Sequence, residues 1–205
     1  MTTFSAMETR IGSELRRTSL TTQITAAVLS AIHFYRSQRF TWNTVRTAYQ
    51  LLPDTEFTSF PGDLIEVDTL VLQSSGDELD YLEERSFHWL DREKEWAAYK
   101  SRPDIFVVQA NQIRWYPVPE KTYSYVMSYH YALPDVSATA SNAWMNEGEE
   151  LIRMHAKVDM LENIIRGPES FQEAQLLRGR EADILKVLKK RARRLHSTGR
   201  FTPWS

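Results

Sequence analysis

The 205-residue sequence contains no cysteine, only seven glycines and no long apolar run. Without cysteine, the chain has neither disulfides nor thiolate ligands for zinc, which fits a reducing compartment. No stretch approaches the roughly 20 apolar residues that a membrane-spanning helix needs. The first residues also lack the apolar core of a signal peptide. The sequence therefore predicts a soluble protein with no membrane partner.

The scarcity of glycine and the spacing of histidine argue against common catalytic sites. The seven scattered glycines build neither a phosphate-binding loop nor a dinucleotide-binding fingerprint, and the motifs HExxH and GxSxG are absent. None of the five histidines has metal-ligand spacing. His155 lies near Glu150 and Asp159, which could orient an imidazole, but ordinary contacts on a helix surface are the simpler interpretation. We expect no metal, no cofactor and no catalytic residue.

One acidic cluster, Glu147, Glu149 and Glu150, allows a hydrolase hypothesis. Glycoside hydrolysis requires two carboxyl groups with separated pKa values. Acidic side chains are also expected in the first turns of a helix, where they interact favourably with its positive end. We favour this second interpretation.

Basic residues are concentrated at the end of the chain. No Asp or Glu follows Asp183, whereas seven Lys and Arg residues do, and the remaining 18 basic residues stand against 27 acidic ones. Such a basic end favours an acidic partner or nucleic acid, although cations near a helix C-terminus are also common. The candidate basic face comprises Lys186, Lys189, Lys190, Arg193 and Arg194.

Both ends of the chain predict amphipathic helices. Apolar residues recur at helical spacing in residues 4–17 and 20–37. From residue 141 onward, two long helices are predicted to form an αα-hairpin. Gly167 in the left-handed conformation would end the first, and Pro168 would begin the second. Their apolar stripes are Trp144, Leu151, Val158 and Ile165, followed by Leu177, Ile184, Leu188 and Leu195.

The middle of the chain predicts strands. Short runs rich in Thr, Val and Leu lie between turn signals, including a type II turn at Pro61-Gly62 with Gly62 at positive φ. Trp89 and Trp96 favour a helix within residues 86–99, and residues 105–109 and 112–116 predict a hairpin.

In residues 123–131, four tyrosines and one methionine alternate with smaller or polar residues, which places the large side chains on one face of a strand. Such a face suits a stacking platform for bases or sugars, but more often it is core or subunit interface.

These patterns predict an α+β protein forming a single domain. Residues 1–38 and 140–196 form a helical body, residues 40–133 a β-rich insertion, and residues 197–205 an extended C-terminal tail.

Three segments together resemble the head–tail adaptor proteins, or head–tail connectors, of tailed bacteriophages. They are FYRSQRFTWN (residues 34–43), NAWMNEGEELIRMHAK (142–157) and STGRFTPW (197–204). The resemblance implies a structural virion protein at the head–tail junction, assembled in the host cytoplasm. It implies a ring of twelve copies that binds the portal, extends the channel for packaged DNA and presents a surface to a tail or nozzle protein.

In this family the C-terminal segment contacts the portal, a role that the resemblance assigns to Gly199, Arg200, Phe201, Pro203 and Trp204. The family brings no catalytic residue. A frayed terminus is the alternative interpretation of the tail. The alternative function for the chain is a nucleic-acid-binding module that uses the basic C-terminal helix.

Overall fold

The computed structural model describes residues 3–73, 79–90, 92, 99–133 and 142–197. It contains both helices and sheets, which confirms the predicted α+β class. In chain order the helices are α1 (Phe4–Glu14), α2 (Thr21–Tyr35), α3 (Phe87–Leu90), α4 (Ala143–Asn146), α5 (Glu149–Asp159) and α6 (Pro168–Ser197). The strands are β1 (Thr44–Leu51), β2 (Phe57–Ser59), β3 (Leu64–Gln73), β4 (Leu79–Tyr81), β5 (Glu83–Glu84), β6 (Lys100–Ser101), β7 (Ile105–Gln109), β8 (Gln112–Tyr116), β9 (Val118–Pro119) and β10 (Tyr123–Tyr131).

The chain divides into two compact units. The helical unit comprises Met1–Asn43 and Ala132–Ser205, and the β unit comprises Thr44–Tyr131. The chain enters the β unit on β1 and leaves it on β10. These two strands are antiparallel neighbours, and Thr44 pairs with His130. The entry and exit of the β unit are therefore adjacent.

Helix α5 is the centre of the helical unit. It contacts α1, α2, α4 and α6, and Leu151, Ile152 and Ala156 on it are fully buried. The helix continues into a π-helical turn, Met160–Ile165, before the chain reverses into α6. One apolar cluster joins these helices, since Met154, Val158 and Leu161 pack with Ala174 and Leu177. The predicted hairpin and the apolar seam between its helices are present.

The predicted hairpin was wrong in two details. Its first helix is not continuous, because the chain breaks between α4 and α5 at Glu147 and Gly148. The left-handed residue at the reversal is Arg166, with φ of 44°, and Gly167 has no positive φ. Pro168 does begin α6, as its fixed φ and missing N–H suit a first helical position.

The N-terminal helices match their predicted positions closely. Thr3 caps α1 by accepting a hydrogen bond from the amide of Ala6, whereas no side chain caps α2 at Leu20. Their predicted apolar faces are buried, and the most enclosed residues include Met7, Ile11, Val28 and Ala31.

Two four-stranded sheets and a two-stranded parallel pair form the β unit. The first sheet has the order β1-β10-β3-β4 and the second β2-β8-β7-β5, while β6 pairs with β9. One apolar cluster joins the two large sheets, with Leu70 and Tyr125 from the first packed with Phe106 and Trp115 from the second. The Trp115 and Tyr125 rings lie 4.9 Å apart between centroids.

The alternating strand β10 supplies much of this core. Tyr123, Tyr125, Met127 and Tyr129 are buried, and Tyr131 at the end of the strand is half-buried. This burial confirms the core interpretation. Burial, and the neighbouring Tyr49, raise the pKa of Tyr125 to about 12. Because these rings are enclosed, they do not form a stacking platform.

Two further local predictions need correction or restriction. The turn at Pro61 is closed by the amide of Leu64, which donates to the Pro61 carbonyl at 3.1 Å, and Gly62 has no positive φ. The turn is therefore displaced by one residue from the type II geometry predicted. The helix predicted for residues 86–99 is observed only as α3, and residues 93–98, with Trp96, lie outside the described residues.

Candidate functional site

Segments 34–43 and 142–157, which carry much of the resemblance, contact each other in the helical unit. Phe34 stacks on His155 with ring centroids 4.8 Å apart. Phe40 and Trp42 stack at 4.5 Å, and each meets Trp144 edge to face, at 5.7 and 6.1 Å. Edge-to-face and offset aromatic pairs stabilise packing beyond the area that they bury. The sequence identified these segments but did not specify that Phe40 and Trp42 meet Trp144.

An internal cap fixes the shape of segment 34–43. The Asn43 side chain is buried, accepts a hydrogen bond from the amide of Phe40 at 2.8 Å and donates to the carbonyl of Gln38 at 2.9 Å. A short asparagine side chain can satisfy backbone groups in this way where a turn leaves them unpaired. The cap holds Phe40 and Trp42 in position against Trp144.

A close approach at Gly148 fixes the start of segment 142–157. Asn142 caps α4 through the amide of Met145. A Cβ atom on Gly148 would lie 3.1 Å from both the Cε3 atom and the carbonyl oxygen of Trp144. Because that spacing is tighter than ordinary van der Waals contact, glycine lets α5 start directly against the buried indole.

The half-buried carboxylate of Glu181 connects α2, α5 and α6. Tyr35 donates a hydrogen bond to Glu181, and the His155 ring nitrogen Nδ1 lies 2.7 Å from the same carboxylate oxygen. Burial by itself would raise the pKa of Glu181, but the hydrogen bonds from His155 and Tyr35 outweigh it and hold this pKa below its usual range. Burial, together with the Glu181 carboxylate, raises the pKa of Tyr35. His155 thus pairs with another helix, whereas the sequence had suggested Glu150 or Asp159.

The acidic cluster of the hydrolase hypothesis is divided by the fold. Glu149 accepts from Arg153 at 3.0 Å and from Arg10 at 3.4 Å, whereas Glu147 and Glu150 are exposed. Arg153 also forms two hydrogen bonds with Glu14, at 2.9 and 3.0 Å. This network joins α1 to α5, so Glu149 has a structural role.

Electrostatics inside this network favour the charged state of Glu14. Burial by itself would raise the pKa of Glu14, but Arg153 and Arg10 lower it below its usual range. Lys157 contributes from 3.3 Å. Within the described part of the chain, no group of three His, Asp or Glu side chains is placed to hold a metal ion.

The predicted basic face lies on the last turns of α6. Lys186, Lys190 and Arg193 are exposed, and Lys189 is half-buried. On the other side of the helix Leu188 and Ala192 are buried. The Arg194 side chain and all five predicted portal-contacting residues, Gly199, Arg200, Phe201, Pro203 and Trp204, lie outside the described residues.

The β unit contains a cleft that sequence analysis missed. It has a volume of about 390 Å³ and is lined by apolar residues, among them Ile65 and Val108, and by the carboxylates Glu66 and Glu84. Because the lining comes from three strands, β3, β5 and β7, and from two turns, no sequence pattern could have revealed it.

Comparison with known proteins identifies the family. The family model described as SU10 adaptor protein matches residues 2–202, nearly the whole chain. No curated protein shows a match to this chain. None of the described helices is both long and apolar enough to cross a membrane. The chain therefore belongs to the SU10 adaptor protein family, and the resemblance to bacteriophage head–tail adaptor proteins is confirmed.

Proposed function

We propose that this phage adaptor is a non-enzymatic structural protein of the virion, forming a ring between the portal and the tail that extends the DNA channel. The observation that carries the proposal is the family match over residues 2–202. A match of that extent covers both units, so the proposed role concerns the whole chain. The ring of twelve copies and its position at the head–tail junction after assembly in the host cytoplasm follow from the resemblance.

A ring requires a heterologous interface, in which one surface of a copy binds a different surface of the next copy. Among the described residues, the exposed apolar side chains are candidates for such contacts. In the helical unit they include Phe34, Phe171, Leu176 and Val187, whose exposed fractions range from 52 to 73 %. Large apolar side chains in solvent are typical of protein interfaces when they occur in groups.

The C-terminal tail is proposed as the portal-binding segment. Residues Gly199, Arg200, Phe201, Pro203 and Trp204 combine two aromatic anchors with one cation and two residues that disfavour helix continuation. Aromatic and arginine side chains are the usual energetic centres of protein interfaces. In the proposed complex, the aromatic side chains of this segment bind a complementary groove of the portal.

The charge of the β unit supports the proposed DNA channel. Thr44–Tyr131 contains 15 acidic and 8 basic residues. A surface with this excess of negative charge repels phosphate and leaves DNA free to slide, in contrast to a basic surface that binds it by releasing counterions. The remaining ring surface is proposed to bind the tail or nozzle protein.

The test is the native mass of the purified protein, alone and mixed with the portal protein of the same genome. Both samples are compared for the intact chain and for a chain that ends at Ser197. We expect a ring-sized complex only with the portal and only with the intact tail. A wild-type chain that stays monomeric with the portal would contradict the proposal.

The exposed basic stripe on α6 favours one second candidate, a nucleic-acid-binding module. Lys186, Lys190 and Arg193 lie on the solvent-facing side of the helix. If they bind phosphate, affinity falls steeply with salt, and replacing Arg193 and Arg194 by alanine flattens that dependence. Fluorescence anisotropy with duplex DNA at several salt concentrations measures the affinity and its salt dependence for the wild type and for the double variant.

A further inference from the structure

Charge is distributed unequally between the two units. The β unit has 15 acidic and 8 basic residues, and the helical unit has 12 acidic and 17 basic ones. The basic excess of the helical unit comes from the end of the chain, where seven Lys and Arg residues follow Asp183 without an acidic one. The chain thus carries two regions of opposite sign, which attract when they lie on different molecules.

The cleft in the β unit carries part of the acidic charge of that unit. Among the described residues that line it, two are acidic, Glu66 and Glu84, and none is basic. Ile65 and Val108 line the same cleft and expose 38 and 40 % of their surface. A cleft with this lining favours an apolar side chain flanked by cations.

The last turns of α6 present that combination. Lys186, Lys190 and Arg193 follow the spacing i, i+4 and i+7, which places them on one face. Val187, beside Lys186, is 52 % exposed. Within the described residues Lys186 and Lys190 form no ion pair, whereas Arg178 earlier on α6 binds Glu162 at 2.5 Å. The cations of the last turns are therefore available to a partner.

We propose that the cleft of the β unit binds the basic end of α6, with Val187 and its flanking lysines, from a second copy of the chain. The inference rests on the proposed ring, because a contact between two different surfaces of identical copies closes into a ring when the rotation allows it. Charge complementarity selects this partner: each copy carries both the acidic cleft and the basic helix end. In this arrangement the basic face serves ring assembly.

The test uses two oppositely charged double variants on the portal of the same genome. Lys186→Glu with Lys190→Glu reverses the helix end, and Glu66→Lys with Glu84→Lys reverses the cleft. Each variant alone is expected to lose the ring-sized complex in native mass measurements, because like charges facing each other disfavour association. Glu84→Lys alone is a milder second variant, with the same direction of effect. Thermal unfolding checks that every variant is folded.

Mixing the two double variants gives the decisive result. In an alternating ring of the two variants, the basic helix end of the cleft variant binds the acidic cleft of the helix variant. At the next interface, the acidic helix end of the helix variant binds the basic cleft of the cleft variant. Every interface of an alternating ring is then complementary, so the mixture is expected to form rings that neither variant forms alone. Arg17→Glu with Arg36→Glu, two exposed arginines elsewhere in the helical unit, is the matched control and should leave assembly unchanged.

Other outcomes distinguish an error in the proposed contact from an error in the proposed ring. Rings formed by either double variant alone, or a failure of the mixture, would overturn the inference while the ring itself stands. If a chain that carries all four substitutions formed rings but the mixture of the two double variants did not, the helix end and the cleft would contact each other within one molecule. If the helix variant alone lost assembly and DNA binding together, nucleic acid would be the partner. A wild type that forms no ring on the portal would instead contradict the proposed function.

Discussion

The buried indole of Trp144 meets the ring of Phe40 edge to face, with centroids 5.7 Å apart, and thereby joins the two family-like segments of the helical unit. Each residue is only 1 % exposed. Trp42 completes the group by stacking on Phe40 and meeting Trp144 edge to face. The two family-like segments outside the tail therefore have a structural basis in the packing of the helical unit.

We expect Phe40→Ala to lower the free energy of unfolding by about 3–5 kcal/mol, because it leaves a cavity beside Trp144. Urea unfolding followed by tryptophan fluorescence measures the change. Phe34→Ala is the control: Phe34 is 60 % exposed, and its removal should cost less than about 1 kcal/mol. Equal losses for both variants would contradict the assignment.

Replacing Gly148 by alanine should destabilise the protein by about 1–3 kcal/mol, since the new Cβ would be forced against Trp144. Gly179→Ala provides the opposite control. Nothing lies within 4 Å of a Cβ at Gly179 in α6, and this helix-interior substitution should stabilise by about 0.5–1 kcal/mol. Opposite shifts in the urea midpoint are expected for the two substitutions.

The Asn43 cap predicts a loss of about 1–3 kcal/mol in the unfolding free energy of Asn43→Ala, because the buried amide of Phe40 and the half-buried carbonyl of Gln38 lose their partner. Asn43→Asp separates the two hydrogen bonds. An aspartate still accepts from the amide of Phe40 but cannot donate to the carbonyl of Gln38. If hydrogen exchange at the Phe40 amide is equally fast in both variants, the acceptor role is wrong.

The Glu181 pair predicts acid sensitivity. The pKa of Glu181 is lower in the folded protein than in the unfolded chain. Its stabilising contribution is therefore complete above the unfolded value of about 4.3 and is lost as the pH falls through the lower folded pKa. Unfolding free energies measured from pH 6 downward should fall for the wild type and change less for Glu181→Gln. Glu150→Gln, at an exposed position, should keep the wild-type slope.

Sequence patterns correctly predicted the features that depend on residues close together in the chain. Burial of Leu151, Val158 and Leu177 follows from helical spacing, and burial of Tyr125 follows from alternation, so both were predictable. The sequence did not predict the bounds of strand β1, because this strand lies at a sheet edge and its residues are mostly half-buried or exposed. A partly exposed strand has weak alternation.

The missed features depend on contacts that sequence spacing does not contain. Gly148 faces the backbone of Trp144, and His155 finds its carboxylate on α6, 26 positions away. The positive φ at the hairpin reversal falls on Arg166 because the π-helical turn before it changes where the chain leaves the helix. Each of these features is determined by a tertiary contact or a local irregularity. The candidate cleft of the β unit likewise depends on tertiary structure, because its lining residues are separated in the sequence.

The pairing of Thr44 with His130 has a consequence for how such adaptors diversify. An insertion whose first and last strands are hydrogen-bonded neighbours leaves its host at one place, so exchanging it requires no change in the distance between the two junctions. Recombination between related phages can then replace the entire β unit as a cassette while the helices that carry it keep their packing. Such an exchange changes the surface that the β unit presents and leaves the packing of the helical unit unchanged.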